Sequence, residues 1–230
     1  MKILTATILL LALSLSANAV ERKDLKAVNI DQLTSETQIV YSEDGVHLVW
    51  WMPPEFWEAS LLKENSMSAE QVEQVMNVLR PYSMLAVVQA DVSPFGVFSF
   101  YEKEQVAKNL EVRRKLGKVN SKIDIVKKVP DDLKLLQNQL KPILAAALGN
   151  MGQNFHFFVF EEKKNGKRIA SPYDEGILSI LLLDKKGKKI KPFDFETPLN
   201  AMFVPRICPN GKEAHVSWKV CPWDGSKLPE

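Results

Sequence analysis

The sequence predicts an α+β fold, in which a mostly antiparallel sheet carries two or three helices on one face. Apolar segments of strand length are joined by short turns, and this arrangement favours antiparallel neighbours. Two longer segments, 69–80 and 131–148, instead place apolar residues at helical spacing. Because 46% of the 230 residues are hydrophobic, the chain can fill a core of ordinary size.

The first predicted elements are two strands and a short helix. Residues 38–42 alternate in hydropathy, residues 46–51 form an apolar return strand, and Glu43-Asp44-Gly45 between them is typical of a hairpin turn. Residues 20–37 are polar and predict an irregular lead-in with one helical turn. Pro53 and Pro54 end the second strand and begin a helix, because proline is favoured at its first position.

A second helix and a hairpin follow. Ser68 and Gln71 form a capping box at the start of the helix over 69–80, and Pro81 ends it. Residues 84–92 predict a buried strand, with 96–101 as its antiparallel partner and Ser93-Pro94-Phe95 as the turn. Further along, 110–113 predict a strand and the basic stretch 117–129 a surface connection.

The second half has the clearest helix and three more strands. The helix begins at Asp131, and Pro142 inside it predicts a kink. Its apolar stripe consists of Leu133, Leu136, Leu140, Ile143, Leu144, Ala147 and Leu148. Strands are predicted at 155–160, at 176–183 and near 190–195. We expect Leu136, Leu140 and Leu144 to face a sheet formed by the first two of these strands.

The first 19 residues have the pattern of a secretory signal peptide. Lys2 is followed by an apolar run, 3–15, that is too short to span a bilayer, and Ala17-Asn18-Ala19 is a cleavage site. We therefore predict three segments: a signal peptide (1–19), an α+β domain (20–204) and a tail (205–230). The expected location of a bacterial protein of this kind is periplasmic or secreted, with no transmembrane segment in the mature chain.

The tail contains both cysteines, each opening a Cys-Pro turn, and it resembles a degenerate zinc ribbon over about the last tenth of the chain. The matching positions are Cys208-Pro209, Trp218-Lys219-Val220, Cys221-Pro222, Gly225 and Leu228. The resemblance implies a small hairpin with its two turns face to face. Gly211 and Asp224 stand where the other two metal ligands would be, and a structural zinc site needs four ligands.

Export bears directly on the chemistry of the two cysteines. In an oxidising compartment two cysteines tend to pair, so the sequence favours a disulfide between Cys208 and Cys221 and no cofactor. The alternatives are free thiols, or a zinc site in which Asp224 and His215 complete the ligand set.

Aromatic residues give the candidate binding positions. Trp51 and Trp57, with Trp50 beside them, would form a platform for a sugar or peptide, and Trp218 and Trp223 in the tail are further candidate binding residues. The competing interpretation is packing, with Trp50 and Trp51 on opposite faces of a strand and Trp51 under the turn at 53–57 or under the tail.

Motifs for catalysis are weak. Glu55 and Glu58 lie one helical turn apart near the tryptophans, and with His156 they could serve a periplasmic hydrolase. No nucleophile elbow, phosphate-binding loop or paired-histidine metal motif is present in the sequence. The lysine clusters 163–168 and 185–191 could touch anionic lipid or cell-wall polymer if their two turns lie side by side.

These observations favour a non-catalytic exported protein that binds an unknown protein or a component of the cell envelope. The formal net charge of +2 gives no basis for a nucleic-acid partner, which would require a concentrated basic face. Two alternatives stay open: the hydrolase, with a cleft near residues 50–57, and a metal-binding module formed by the tail.

Overall fold

The computed structural model describes residues 20–42, 45–64 and 66–228. The predicted signal peptide, and Glu43 and Asp44 of the first predicted turn, lie outside these residues. Over the described part of the chain the α+β class and the mostly antiparallel pairing are confirmed.

Helices in the described residues are mostly short. They are α1 (Ile30–Thr37), α2 (Pro54–Leu61), α3 (Ala69–Leu79), α4 (Lys103–Asn109) and α5 (Asp131–Ala147), with 3-10 turns at Leu25–Ala27, Gly149–Asn154 and Asn200–Met202. The capping box of Ser68 and Gln71 is confirmed. The lead-in predicted to be irregular contains α1, because the Asn29 side chain accepts hydrogen bonds from the N–H groups of Asp31 and Gln32.

The strands form two larger antiparallel sheets and two small hairpins. They are β1 (Gln38–Tyr41), β2 (Val46–Met52), β3 (Tyr82–Val92), β4 (Phe98–Phe100), β5 (Glu111–Leu116), β6 (Val119–Ile123), β7 (His156–Glu161), β8 (Lys163–Lys164), β9 (Lys167–Arg168), β10 (Gly176–Leu181), β11 (Phe193–Thr197), β12 (Arg206–Ile207) and β13 (Glu213–Ala214). The connection predicted over 117–129 contains β6.

The long strand β3 organises the first sheet. β2 pairs with one edge of β3, while β7 and β4 share the other edge, at residues 82–87 and 90–92. The second sheet has the order β11-β10-β5-β6. The prediction that β7 and β10 share one sheet is therefore wrong, because β10 pairs with β5 and β11 instead.

Adjacent tryptophans on β2 pack on opposite faces of the first sheet. Trp50 meets Phe56 of α2 edge to face, at 5.3 Å between ring centroids. Trp51 lies 6.0 Å from Phe195 of the second sheet, and its Nε1–H donates to Ser83 Oγ at 2.9 Å. The prediction that the two tryptophans lie on opposite faces is confirmed. The packing interpretation placed Trp51 under the turn at 53–57 or under the tail; instead α2 covers Trp50, and the second sheet covers Trp51.

The apolar stripe of α5 is narrower than predicted. Leu133 and Leu144 are buried, and Leu136 and Leu140 are partly buried against the core. Ile143 is 66% exposed, so it does not belong to the packed face. The helix continues through its proline from Asp131 to Ala147.

Candidate functional site

The hairpin between β3 and β4 ends in a closed turn. The backbone N–H of Ser93 donates to the carbonyl of Val97, and the N–H of Gly96 donates to the carbonyl of Ser93, both at 2.9 Å. The N–H of Val97 donates to Ser93 Oγ at 3.1 Å. Gly96 has a φ of 77°, a conformation that glycine adopts without strain. The turn predicted at Ser93-Pro94-Phe95 is confirmed, and it directs Phe95 outward.

The apolar side chains of this hairpin face solvent. The exposed fractions are 93% for Phe95, 61% for Val97, 51% for Phe98 and 41% for Val92. Between Val92 and Tyr101 the chain has no charged residue. Single exposed apolar residues are ordinary, but a cluster of them without charges marks an interaction surface.

A lysine-rich turn lies beside the hairpin. Residues 184–191 contain Lys185, Lys186, Lys188, Lys189 and Lys191. The acid in this stretch, Asp184, accepts hydrogen bonds from the N–H groups of Lys186 and Lys188, at 2.8 and 2.7 Å. Its carboxylate therefore builds the turn, while the lysine side chains are exposed.

A polar brace joins the turn to the hairpin. The Tyr101 hydroxyl donates to Asp91 Oδ1 at 2.9 Å and accepts the Lys185 N–H at 3.0 Å. Lys185 Nζ lies 2.8 Å from Asp91 Oδ2 and 4.7 Å from the Tyr101 ring centroid. A ring nitrogen of His156 lies 2.8 Å from the Tyr101 carbonyl oxygen. Residues 92–101 and 184–191 thus form one surface, which we call the hairpin–lysine surface.

The brace also shifts the ionisation of its members. Burial, with the hydrogen bond to Asp91, raises the pKa of Tyr101 to about 12, so the hydroxyl remains a donor. Burial alone would raise the pKa of Asp91. The hydrogen bonds from Lys185 and Tyr101 nevertheless hold that pKa below its usual value.

The two lysine clusters lie at opposite ends of β3. Glu161, two residues before Lys163, is in register with Tyr82 at the start of β3, whereas Lys185 contacts Asp91 near the end of that strand. Nine residues of strand separate these points, a distance of about 30 Å. The 185–191 cluster therefore neighbours the apolar hairpin and not the other lysine cluster.

The acids considered for catalysis are bound to arginines. The Arg168 guanidinium contacts both oxygens of Glu55, at 2.5 and 3.1 Å, and its Nε donates to Glu162 at 2.6 Å. Glu58 lies 3.5 Å from Arg80. His156 sits on β7, with the Tyr101 carbonyl as its partner. The three candidates Glu55, Glu58 and His156 thus have separate partners and do not share one cluster.

Glu162 has the most perturbed carboxyl group of this region. It is 3% exposed, and burial raises its pKa to about 7 in spite of the opposing charge of Arg168. Nothing in the sequence flags it, because its burial arises from tertiary packing. The neighbouring groove, of about 830 Å³ between β6 and the β8–β9 hairpin, is lined by Arg168 but not by Glu162. Five basic and four acidic residues line this groove, so its charge is nearly balanced.

The tryptophans proposed as binding residues differ in exposure. Trp51 and Trp57 are buried, at 0% and 5% exposure, because each packs in the main core. They offer no surface for a sugar or peptide. Trp218 and Trp223 are 39% and 48% exposed, with ring centroids 6.0 Å apart.

The cysteines of the tail are buried together. Cys208 and Cys221 pack with Ala214 and Leu228 in a small separate core, and the pair is near disulfide distance. In each Cys-Pro turn a glycine N–H donates back to the cysteine carbonyl, from Gly211 to Cys208 at 2.8 Å and from Gly225 to Cys221 at 2.9 Å.

The other residues considered as metal ligands have partners of their own. Asp224 Oδ1 accepts from the Ser226 hydroxyl at 2.7 Å, and His215 Nδ1 lies 2.8 Å from Ser217 Oγ. Within residues 20–42, 45–64 and 66–228, no group of three or more His, Cys, Asp and Glu side chains is arranged to hold a metal ion.

Comparisons of the chain with protein-family models, with curated proteins and with solved structures find no match. Among the helices that the structure describes, none has the length and apolarity needed to cross a membrane. The interpretation of the molecule therefore rests on the chemistry of its own surfaces, and the hairpin–lysine surface is the most distinctive of them.

Proposed function

We propose that this chain is an exported, non-catalytic protein that docks onto a component of the cell envelope through the hairpin–lysine surface. The observation that carries the proposal is the run 92–98, which has no charged residue and leaves four large apolar side chains exposed, with Phe95 at the tip. Leaving several large apolar side chains in water is unfavourable unless a partner covers them. The brace through Tyr101 holds this apolar tip and the lysine turn together before any partner arrives.

The state of the acidic residues supports a non-catalytic role over the hydrolase alternative. Glycoside hydrolysis requires two carboxyl groups that face one substrate. Glu55 is held by Arg168 and Glu58 lies beside Arg80, so each acid has a cation as its nearest charged partner. An ion-paired carboxylate of this kind is typical of structural networks.

The same proposal includes export and an oxidised tail. Cleavage after Ala19 would leave Val20 as the first residue, in the periplasm or outside the cell. There Cys208 and Cys221 would form a disulfide, since the two are near disulfide distance and both are buried. The zinc alternative is less favoured because Gly211 supplies no ligand and His215 contacts Ser217.

Fractionation of cell envelopes tests the docking role. The wild type should sediment with envelopes, and Phe95→Ser should move into the soluble fraction. Val119→Ser is the matched control, because Val119 is 65% exposed at the start of β6 and lines the groove beside the β8–β9 hairpin, away from Phe95. Equal distribution of wild type and Phe95→Ser would refute the proposed function.

A further inference from the structure

We infer that the partner of the hairpin–lysine surface is an anionic phospholipid bilayer, an inference that rests on the docking role proposed above. Three properties of the surface select a lipid surface over a protein partner: the shape of the tip, the state of its backbone and the arrangement of its charges.

The tip has a convex shape. Phe95 is almost fully exposed, and the exposed Val97 and Phe98 follow it where the chain returns into β4. A protein partner would need a pocket that matches this projection, whereas lipid chains rearrange around it. Aromatic and aliphatic side chains at the head of a small projection can therefore enter the boundary between headgroups and acyl chains.

Most backbone donors of the tip are already paired within the hairpin. The N–H groups of Ser93, Gly96 and Val97 donate within the hairpin, and Pro94 has no N–H. In a bilayer an unsatisfied backbone donor is strongly unfavourable, because no water is present to accept its proton. Four of the five residues 93–97 thus bring no unpaired backbone N–H into the lipid, which lowers the free-energy cost of inserting the tip.

The lysine turn beside the tip suits anionic headgroups. Residues 184–191 contain five lysines and one aspartate, and that aspartate is used to form the turn. Lys185 is held by Asp91 and Tyr101, so it positions the turn, while Lys186 and Lys189 extend from exposed positions. An apolar insertion alone binds membranes weakly, and a neighbouring basic cluster supplies the second contribution that stable attachment requires.

Flotation of the purified mature chain with lipid vesicles tests the inference. The probes are vesicles of phosphatidylcholine alone and vesicles in which about a third of the lipid is phosphatidylglycerol. We expect affinity for the anionic vesicles to exceed that for the neutral ones by at least about tenfold, and to fall with added salt. Phe95→Ser should weaken binding by about tenfold, since one partly inserted ring is lost.

Charge reversal gives a second, independent arm. The double variant Lys186→Glu/Lys189→Glu should weaken binding to anionic vesicles by about 30-fold or more. Lys163→Glu/Lys167→Glu changes the net charge equally at the other end of β3 and should stay within about twofold of the wild type. Both pairs are exposed, so neither change disturbs the core.

The outcomes separate this inference from the docking role. Three results would overturn the lipid partner: the wild type does not bind vesicles, it binds both lipid mixtures equally, or the control pair of substitutions weakens vesicle binding as much as the test pair does. If envelope fractionation still depends on Phe95 in such a case, docking stands and the partner is a protein or polymer. If fractionation does not depend on Phe95 either, both proposals fall.

Discussion

Replacing Glu162 with glutamine should change how the stability of the protein depends on pH. Glu162 is 3% exposed, and burial raises its pKa from the usual 4.5 to about 7 although Arg168 contacts it. A carboxyl group whose pKa is raised on folding stabilises the protein fully below its unfolded pKa, and this contribution is lost as the pH rises through the folded pKa. The interval from 4.5 to about 7 corresponds to about 3 kcal/mol.

Glutamine cannot ionise, so the variant should lack this loss. Between about pH 5 and about pH 8, the free energy of unfolding of Glu162→Gln should rise relative to the wild type by about 2–3 kcal/mol. Urea unfolding at several pH values, followed by tryptophan fluorescence, measures the difference. Glu161→Gln is the matched control, because Glu161 is the exposed neighbour and its replacement should keep the wild-type profile. If the free energy of unfolding of Glu162→Gln and of the wild type changes with pH in the same way, the ionised Glu162 carboxylate does not destabilise the folded protein and the reasoning is refuted.

Four further predictions follow from the packing and the termini. Leu133→Ala should lower the free energy of unfolding by about 2–5 kcal/mol, whereas Ile143→Ala, at an exposed position, should change it by less than about 0.5 kcal/mol; urea titration compares the two. Tyr101→Phe removes a hydroxyl with two partners and should lower the same free energy by about 1–3 kcal/mol. Intact mass of the exported protein should correspond to a chain beginning at Val20, and retention of residues 1–19 would contradict export by cleavage. The mature protein should contain no free thiol and less than stoichiometric zinc, and Cys208→Ser should speed amide exchange in 205–228 while the two main sheets stay protected; two thiols with one bound zinc would contradict this.

Local sequence patterns predict a helix or strand well where a capping residue, a proline or a turn motif marks its end. The capping box at Ser68, the proline that follows α3 and the turn at Ser93 each specify a backbone geometry within a few residues. By contrast, α4 has one buried residue, Val106, so it lacks the apolar periodicity that predicts a helix. Asn29 caps the start of α1, but too few apolar residues follow it for the sequence to indicate a helix.

Pairing between distant strands could not be predicted in the same way. The apolar sequences of β7 and β10 are compatible with neighbours in one sheet, since both are largely buried. Which strand each of them pairs with depends on the packing of the whole chain. In the structure β7 pairs with β3, and β10 pairs with β5. Alternation along a strand identifies its faces but not its partner.

The sequence indicated one of the two parts of the candidate site, the lysine turn, but not the exposed hairpin beside it. The lysine cluster at 185–191 is visible in the composition, but the sequence offered only the other lysine cluster as a possible neighbour and did not point to the hairpin. The apolar run at 96–101 was predicted as the partner of a buried strand, and such a run is normally buried itself. Only Phe98–Phe100 pair with β3, however, so the hairpin tip projects from the sheet. Exposure of this kind depends on what the rest of the chain leaves uncovered.

Photo-crosslinking from position 95 tests the central claim most directly. A benzophenone amino acid replaces Phe95 in one variant and Val119 in the control, and both variants are irradiated in intact cells. The account predicts phospholipid adducts from position 95 and none from position 119, because only the hairpin tip enters the envelope surface. The absence of any adduct at position 95, or equal yields at the two positions, would contradict the claim that this surface docks.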